Sequence, residues 1–348
     1  MCKGLVNKEV VLSEIHSTDV AIIGAGPIGL FSVFQCGMLK MSCHVIDALP
    51  ATGGQCTALY PEKPLFDIPA APGINAVDLI ERLEKQIAPF KPVIHLNQQV
   101  TELEKIDEYW HLSTSTGLKI QAKAIIIAAG AGAFGPNKPP LDNIEQFENR
   151  SVHYLVQKRE DFRDQRIVIA GGGDSAVDWA LSLADVAAEV YVIHRRDRFR
   201  AIPESVAQMK ALADAGKVEL VIPYQLASLE GDGDKLKTVV VKTLDGDERR
   251  IEADHLLSFF GLATKLGPIN DWGLDILNGV IKVEATTCAT NIDGIFAVGD
   301  IADYPHKLKL ILSGFSEAAQ AAHAAYLIVN PGQALNFEHS TTSGVPTL

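Results

Sequence analysis

The stretch Asp19-Val20-Ala21-Ile22-Ile23-Gly24-Ala25-Gly26-Pro27-Ile28-Gly29 decides how this chain is read. Asp19 to Ile23 is a short β-branched run of the kind that forms a parallel strand buried on both faces. Three glycines follow at the spacing G-x-G-x-x-G, and an apolar segment rich in helix formers continues to about Met41. Cys43-His44-Val45-Ile46 then reads as a second strand that stops at Asp47. Strand, glycine turn, helix and strand make a βαβ unit. Gly24 permits the tight turn, Gly26 lets the backbone approach a pyrophosphate, and Gly29 lets helix and strand pack closely. The pyrophosphate then meets the unpaired N–H groups and positive end of the helix. Asp47, twenty-three residues after Gly24, is placed to accept hydrogen bonds from a ribose diol.

The same grammar recurs further along. Gln165 to Ala170 is a strand, Gly171-Gly172-Gly173-Asp174-Ser175-Ala176 is the turn, and a helix runs from about Ala176 to Ala187. Glu189 to Ile193 is the next strand, closing on His194-Arg195-Arg196, with Arg200 shortly after. Arginines stand where the first unit has its carboxylate. A carboxylate repels a 2′-phosphate, whereas guanidinium groups pair with it bidentately, so this site prefers NADP(H) to NAD(H). The plain alternative is a solvated basic run at a strand end.

Working outward, the apolar strand Ala124 to Ile127 leads into Ala128 through Pro140, rich in small residues and proline, which reads as a linker. A similar strand, Leu256 to Phe260, ends in Gly261 and gives way to Gly267-Pro268, the return crossing. The expectation is an α/β chain with two Rossmann-like dinucleotide-binding domains, the second inserted into the first. Its parts are an extension at 1–16, a first domain over 17–130 and 263–348, and the inserted domain over 131–262. A third motif, Ile295 to Val298 ending in Gly299-Asp300, follows the turn Asn291 to Gly294. A helix is expected from about Phe315 to Leu327, after Ser313-Gly314.

Composition fits an ordinary folded protein. The 348 residues are 47% hydrophobic and 21% charged, which excludes disorder, and a net charge of −12 argues against a dedicated nucleic-acid or anionic-membrane binder. The N-terminal segment lacks the apolar core of a signal peptide and no run approaches a membrane span, so a cytoplasmic protein is the default. The five cysteines, Cys2, Cys36, Cys43, Cys56 and Cys288, are odd in number and never spaced C-x-x-C. That argues against a disulfide framework, a zinc ribbon and a C-x-x-C redox centre. His95, His111 and His255 show no metal-ligand spacing, so no metal site is expected.

Taken together, the two glycine turns and the Gly-Asp resemble the two-dinucleotide-binding flavoprotein family, and His194 to Arg200 resembles its thioredoxin reductase branch. That branch carries a C-x-x-C pair just before the second glycine turn, where this chain has Val152 to Gln157 without a cysteine. A narrower likeness is to the thioredoxin-reductase-like ferredoxin–NADP⁺ reductases. It rests on Gly53 to Lys63, Ala131 to Pro136, Leu266 to Ile269, Asp271 to Leu274, Tyr304 to Leu310 and the tail from His339 to Ser343. His306 stands where that group is expected to have glycine.

The resemblance implies FAD and NADPH as cofactors. For FAD it implies Gly24, Gly26, Pro27, Gly29, Asp47, Gln55, Tyr60, Val100, Phe134, Asp300 and Thr341, with Tyr60 and His339 stacking on opposite flavin faces. The Asp300 carboxylate would hold a ribityl hydroxyl, and Val100 would touch the adenine end. For NADP it implies Gly171, Gly173, Asp174, Ser175, Arg195, Arg196 and Arg200. Tyr60 as a half-buried loop aromatic and His339 as a solvated tail residue are the plain alternatives. The implied reaction is hydride transfer from NADPH to flavin N5, then one-electron steps to ferredoxin or flavodoxin, without a catalytic triad or a redox-active disulfide. An aromatic covering the flavin must move for nicotinamide to stack there, so the tail around His339 would gate access. Competing readings are a reductase of a quinone, free flavin or external disulfide protein, and a sensor that binds both cofactors without turnover. A homodimer is expected by resemblance. Because ferredoxin and flavodoxin are acidic, docking requires a local basic face. Lys307 and Lys309 are the first candidates, followed by Lys63 and Lys138.

Overall fold

The computed structural model describes residues 15–148, 150–156, 158–335 and 344, with backbone alone at 133–136 and 262–264. The chain divides into two compact units, Met1–Ala133 with Thr264–Leu348, and Phe134–Ala263. Among the described residues the six α-helices are α1 (Pro27–Met38), α2 (Gln55–Ala58), α3 (Ala76–Ile87), α4 (Asp174–Leu183), α5 (Pro203–Asp214) and α6 (Ile311–Val329).

The first unit is built on a seven-stranded sheet. Val93–His95, Cys43–Ile46, Ile15–Ile23 and Lys119–Ile127 lie side by side and parallel, and Ile295–Ala297 joins the last of them in the same sense. Tyr109–Thr114 and Val100–Ile106 complete the sheet as an antiparallel pair. The uninterrupted apolar runs are explained by burial on both faces. Val20, Ile22, Val45 and Ile126 pack against α1, α3 and α6, while Ala21, Ile23, Ile125 and Ile127 pack with Leu112, Ile281 and Ile301 on the other side. Burying one such aliphatic side chain contributes roughly 1.5–3 kcal/mol. The amphipathic helix α3 buries Ala76, Leu79, Ile80, Leu83 and Ile87, the stripe that a 3.6-residue period predicts.

The second unit holds a five-stranded parallel sheet in the order Val152–His153, His255–Phe259, Arg166–Gly171, Glu189–Ile193, Glu219–Val221. Helices α4 and α5 cover one face through Ala176, Val177, Ala180, Leu183 and Met209. A three-stranded antiparallel sheet, Gln225–Asp232, Lys235–Lys242 and Glu248–Glu252, covers the other through Leu229, Leu236, Val239, Val241 and Ile251.

Helix α6 differs from its sequence expectation. It starts at Ile311, so Ser313 and Gly314 lie inside its first turn and do not precede it. The reason is packing: a Cβ on Gly314 would stand 2.3 Å from Ile28 of α1, so this glycine marks a helix contact and not a helix start.

Candidate functional site

In the first unit the glycine turn, the end of the second strand and two distant loops converge. The Gly24 N–H bonds the Ile46 carbonyl at 2.8 Å, and the Ala25 N–H bonds Asp47 Oδ2 at 2.6 Å. The other Asp47 oxygen accepts the Leu49 N–H at 2.8 Å. Burial pushes this carboxyl above its ordinary value, and the Ala25 and Leu49 donors hold it back. Each oxygen keeps a lone pair for a ribose hydroxyl.

The glycines of the turn have unequal reasons for being glycine. Gly24 has φ +110°, and a Cβ there would lie 2.4 Å from the Ala128 carbonyl oxygen. On Gly29 it would lie 1.9 Å from the Gly24 oxygen. Gly26, the N-cap of α1, has φ −68° and ψ 179°, ordinary extended backbone, and nothing within 4 Å of its missing side chain. Protein packing requires the first two. The space over Gly26 is a cradle that a side chain would fill. Behind it α1 has no side-chain cap and no acidic residue in its first turn, so its leading N–H groups and positive end face that space unopposed. A diphosphate fits this donor set.

Residues 53–55 fold back over the turn. The Gly53 N–H bonds the Ala25 carbonyl at 2.8 Å, and Gln55 opens α2, its Nε2 reaching the space beside Gly130. Tyr60 lies half-buried one turn beyond, its hydroxyl 3.8 Å from Cys56 Sγ. Burial pushes the Tyr60 phenol far up, with Cys56 and then the Asp300 carboxylate adding to it. Burial raises the Cys56 thiol as well, which keeps it protonated and a poor nucleophile. Cys36, Cys43, Cys56 and Cys288 are all free and buried.

Gly299, φ +77°, opens the turn that carries Asp300, and both Gly299 and Gly314 abut Ile28 at the start of α1. The Gly299 N–H donates to Glu317 Oε2 of α6 at 2.7 Å. Glu317 Oε1 accepts the Tyr304 hydroxyl at 2.7 Å and the Lys307 ammonium. Glu317 did not stand out in the sequence. The available signal was that it is the only charged residue in α6.

The structure also corrects the docking expectation. The Lys307 side chain is 3% exposed, because its ammonium is drawn inward onto Glu317, so it presents no charge to a partner. Lys309 is exposed, with Leu308 and Leu310 beside it. Lys138 is paired with Glu148 at 2.7 Å, and Lys63 is partly buried. Val100 is sealed in the core, leaving only its main chain for a ligand. Phe134 lies on the strand Ala133–Pro136, but its side chain, like all of His339 and Thr341, lies outside the described residues.

The second unit repeats the pattern with other closures. A Cβ on Gly171 would meet the Phe259 carbonyl oxygen at 2.7 Å, and one on Gly172 would meet the His194 ring at 2.2 Å. Gly173, the N-cap of α4, has open space. The arginine loop is tied to this turn at two points: the Arg200 N–H bonds the Gly172 carbonyl at 2.7 Å, and the Ile202 N–H bonds Asp174 Oδ1 at 3.0 Å. Asp174 thus spends one oxygen on its own chain, while Ser175 is exposed at the helix start. Arg195, Arg196 and Arg200 are exposed, and none is in an ion pair among the described residues. Three unpaired guanidiniums beside an open glycine turn are a ready site for a second phosphate.

Five histidines form two groups: His44 Nδ1 and His95 Nε2 are 3.0 Å apart with His16 nearby, and His153 Nε2 and His255 Nδ1 are 3.0 Å apart. Burial and the neighbouring imidazoles lower His44 to about 4. Among the described residues no cluster suits a metal ion.

Two glycine turns, one closed by a carboxylate and one by arginines, together with a Gly-Asp turn, define an oxidoreductase that binds two dinucleotides. Residues 18–326 match the pyridine nucleotide-disulphide oxidoreductase family. A ferredoxin–NADP reductase of Paramagnetospirillum magneticum is 60% identical over 332 residues, 95% of this chain and 98% of the relative. One from Rhodospirillum rubrum is 60% identical over 333 residues, 94% and 96% of the two chains. Thioredoxin reductase of Lactococcus lactis superposes with a TM-score of 0.77 at 28% identity, covering 90% of this chain and 99% of that one. The chain belongs to the pyridine nucleotide-disulphide oxidoreductase family, in its ferredoxin–NADP reductase branch.

Proposed function

We propose that this chain transfers electrons between NADPH and ferredoxin, or flavodoxin by the same chemistry, with FAD as the intermediate carrier. The observation that carries the reading is the contrast between the two glycine turns, carboxylate-closed in the first unit and arginine-closed in the second. The names of the full-length relatives support ferredoxin as the acceptor. When bound, FAD supplies the conversion between hydride transfer and single-electron transfer. The chain's own residues bind and orient. The first glycine turn and α1 hold the FAD pyrophosphate, Asp47 a ribose diol, Gln55 and Tyr60 the flavin side, and Asp300 the ribityl chain. Phe134, His339 and Thr341 belong to the same reading, as does main-chain contact at Val100. Gly171, Gly173 and Ser175 hold the NADPH pyrophosphate, Asp174 fixes the loop, and Arg195, Arg196 and Arg200 take the 2′-phosphate. The domain assignment follows: FAD to the first unit and NADPH to the second.

The free cysteines suit the reducing cytoplasm, and no helix among the described residues is long and apolar enough to cross a membrane. A symmetric homodimer is part of the reading by resemblance.

The test is stopped-flow reduction by NADPH and by NADH, followed by mixing with purified ferredoxin. NADPH is expected to bleach the flavin at least tenfold faster at equal concentration, and ferredoxin to restore it within the turnover time. Equal rates with the two nucleotides, or turnover only with an external disulfide protein, refute the reading.

Docking is assigned to the loop 306–310, with Lys309 supplying charge and Leu308, 62% exposed, supplying apolar contact for an acidic partner. Lys309→Glu is expected to raise the KM for ferredoxin about tenfold at low salt, an effect that shrinks as salt screens the contact. Reduction of a small dye, which needs no docking, provides the comparison. An unchanged KM at low salt sinks this assignment.

A further inference from the structure

The buried contacts of Glu317 ask for an explanation that stability does not give. Its carboxylate is 2% exposed and the Lys307 side chain 3%. All of its partners come from one short stretch: the Gly299 N–H, the Tyr304 hydroxyl and the Lys307 ammonium, which also lies 5.2 Å from the Tyr304 ring centre. Removing two charges from water is costly, and a buried pair is often no more stable than apolar side chains of the same volume. What the pair does achieve is location. It ties α6 to the backbone of Gly299, one residue before Asp300, and clamps the returning loop 304–307 beneath the same turn. Gly314, one helical turn before Glu317, seats α6 on Ile28 at the start of α1. The nearby Cys288 thiol is raised to about 12 by burial and by the Glu317 carboxylate, so it adds no charge of its own.

We propose that Glu317, paired with Lys307, is a positioning residue for the flavin end of FAD, holding the Gly299–Asp300 turn in place and keeping the net charge beneath it at zero. This rests on the assignment of Asp300 to FAD. A charge left unbalanced under the turn acts on the flavin differently in its two redox states. A positive charge stabilises the more negative reduced form, and a negative charge disfavours it.

The experiment is a redox titration of the FAD-loaded protein, with flavin content measured in parallel. Glu317→Gln at pH 6.5 leaves the ammonium unbalanced, and the ratio of affinities for reduced over oxidised FAD is expected to rise about tenfold, a potential increase of about 30 mV for a two-electron couple. Lys307→Met at pH 8.5 leaves the carboxylate unbalanced, and the ratio is expected to fall by a similar factor. Each is compared with the unsubstituted protein at the same pH. The double variant K307M/E317Q and the charge-preserving Lys307→Arg are expected to stay within about threefold, and the latter keeps the test alive if E317Q folds poorly. Shifts of the same sign in the two single variants overturn the proposal, as do shifts under threefold with FAD bound. An unsubstituted chain that takes up no FAD overturns the flavin assignment itself, and with it this proposal.

Discussion

Gly26→Val yields a folded chain without FAD. The backbone at Gly26 is extended, a conformation valine adopts freely, and its Cβ meets no protein atom within 4 Å. The melting temperature of the flavin-free variant should therefore match that of flavin-free protein to within a few degrees, since about 1 kcal/mol corresponds to roughly 2–4 °C in a chain of 150–250 residues or more. The side chain instead fills the cradle at the start of α1 and keeps a pyrophosphate off the helix N–H groups. Charge-assisted hydrogen bonds contribute about 1.5–3 kcal/mol each, so losing two weakens FAD binding by roughly 10²–10⁴-fold. Gly29→Val serves as the contrast. Its Cβ would stand 1.9 Å from the Gly24 oxygen, so this variant should lose the melting transition as well as the flavin. Flavin absorbance per chain, with thermal melts of flavin-free protein, separates the two. Full FAD occupancy in Gly26→Val would show that the diphosphate lies elsewhere.

The double substitution R195A/R196A is expected to lower the preference for NADPH over NADH by roughly 10²-fold or more, at about 1.5–3 kcal/mol for each charge-assisted contact. Both side chains are exposed and, among the described residues, without carboxylate partners, so their removal costs the fold little and falls almost wholly on the ligand. The loss should sit in the KM for NADPH, with NADH kinetics nearly unchanged, because NADH lacks the 2′-phosphate. Parallel losses with both nucleotides would instead place these arginines on the shared pyrophosphate.

Much of this was legible in the sequence because the glycine turns are local grammar. A β-branched strand, three spaced glycines and a carboxylate or arginine at the next strand end define a unit whose parts lie within about thirty residues. The likeness to the ferredoxin–NADP reductases was legible too, from loop sequences around Tyr60 and Tyr304. What escaped depended on distant neighbours. Lys307 reads as a surface cation, and only the approach of α6 shows its ammonium turned inward. Gly314 reads as a helix boundary until Ile28 is brought against it. Asp174 reads as a ligand contact, yet one oxygen is spent on Ile202, twenty-eight residues on. Charge type and spacing are written locally, whereas the direction in which a long side chain points is settled by packing from elsewhere in the chain.

The two ties between the arginine loop and the second glycine turn bear on how nucleotide choice can be changed. Arg200 and Ile202 are stapled by their main chain to Gly172 and Asp174, so the proposed phosphate reader and the proposed diphosphate cradle are tied into one cassette from Gly171 to Ile202. Grafting a foreign 194–200 loop alone would hang new side chains on an anchor shaped for the old ones. A redesign toward NADH, or the drift of a relative in that direction, would have to exchange loop and turn together or retain Asp174 and the backbone path around it.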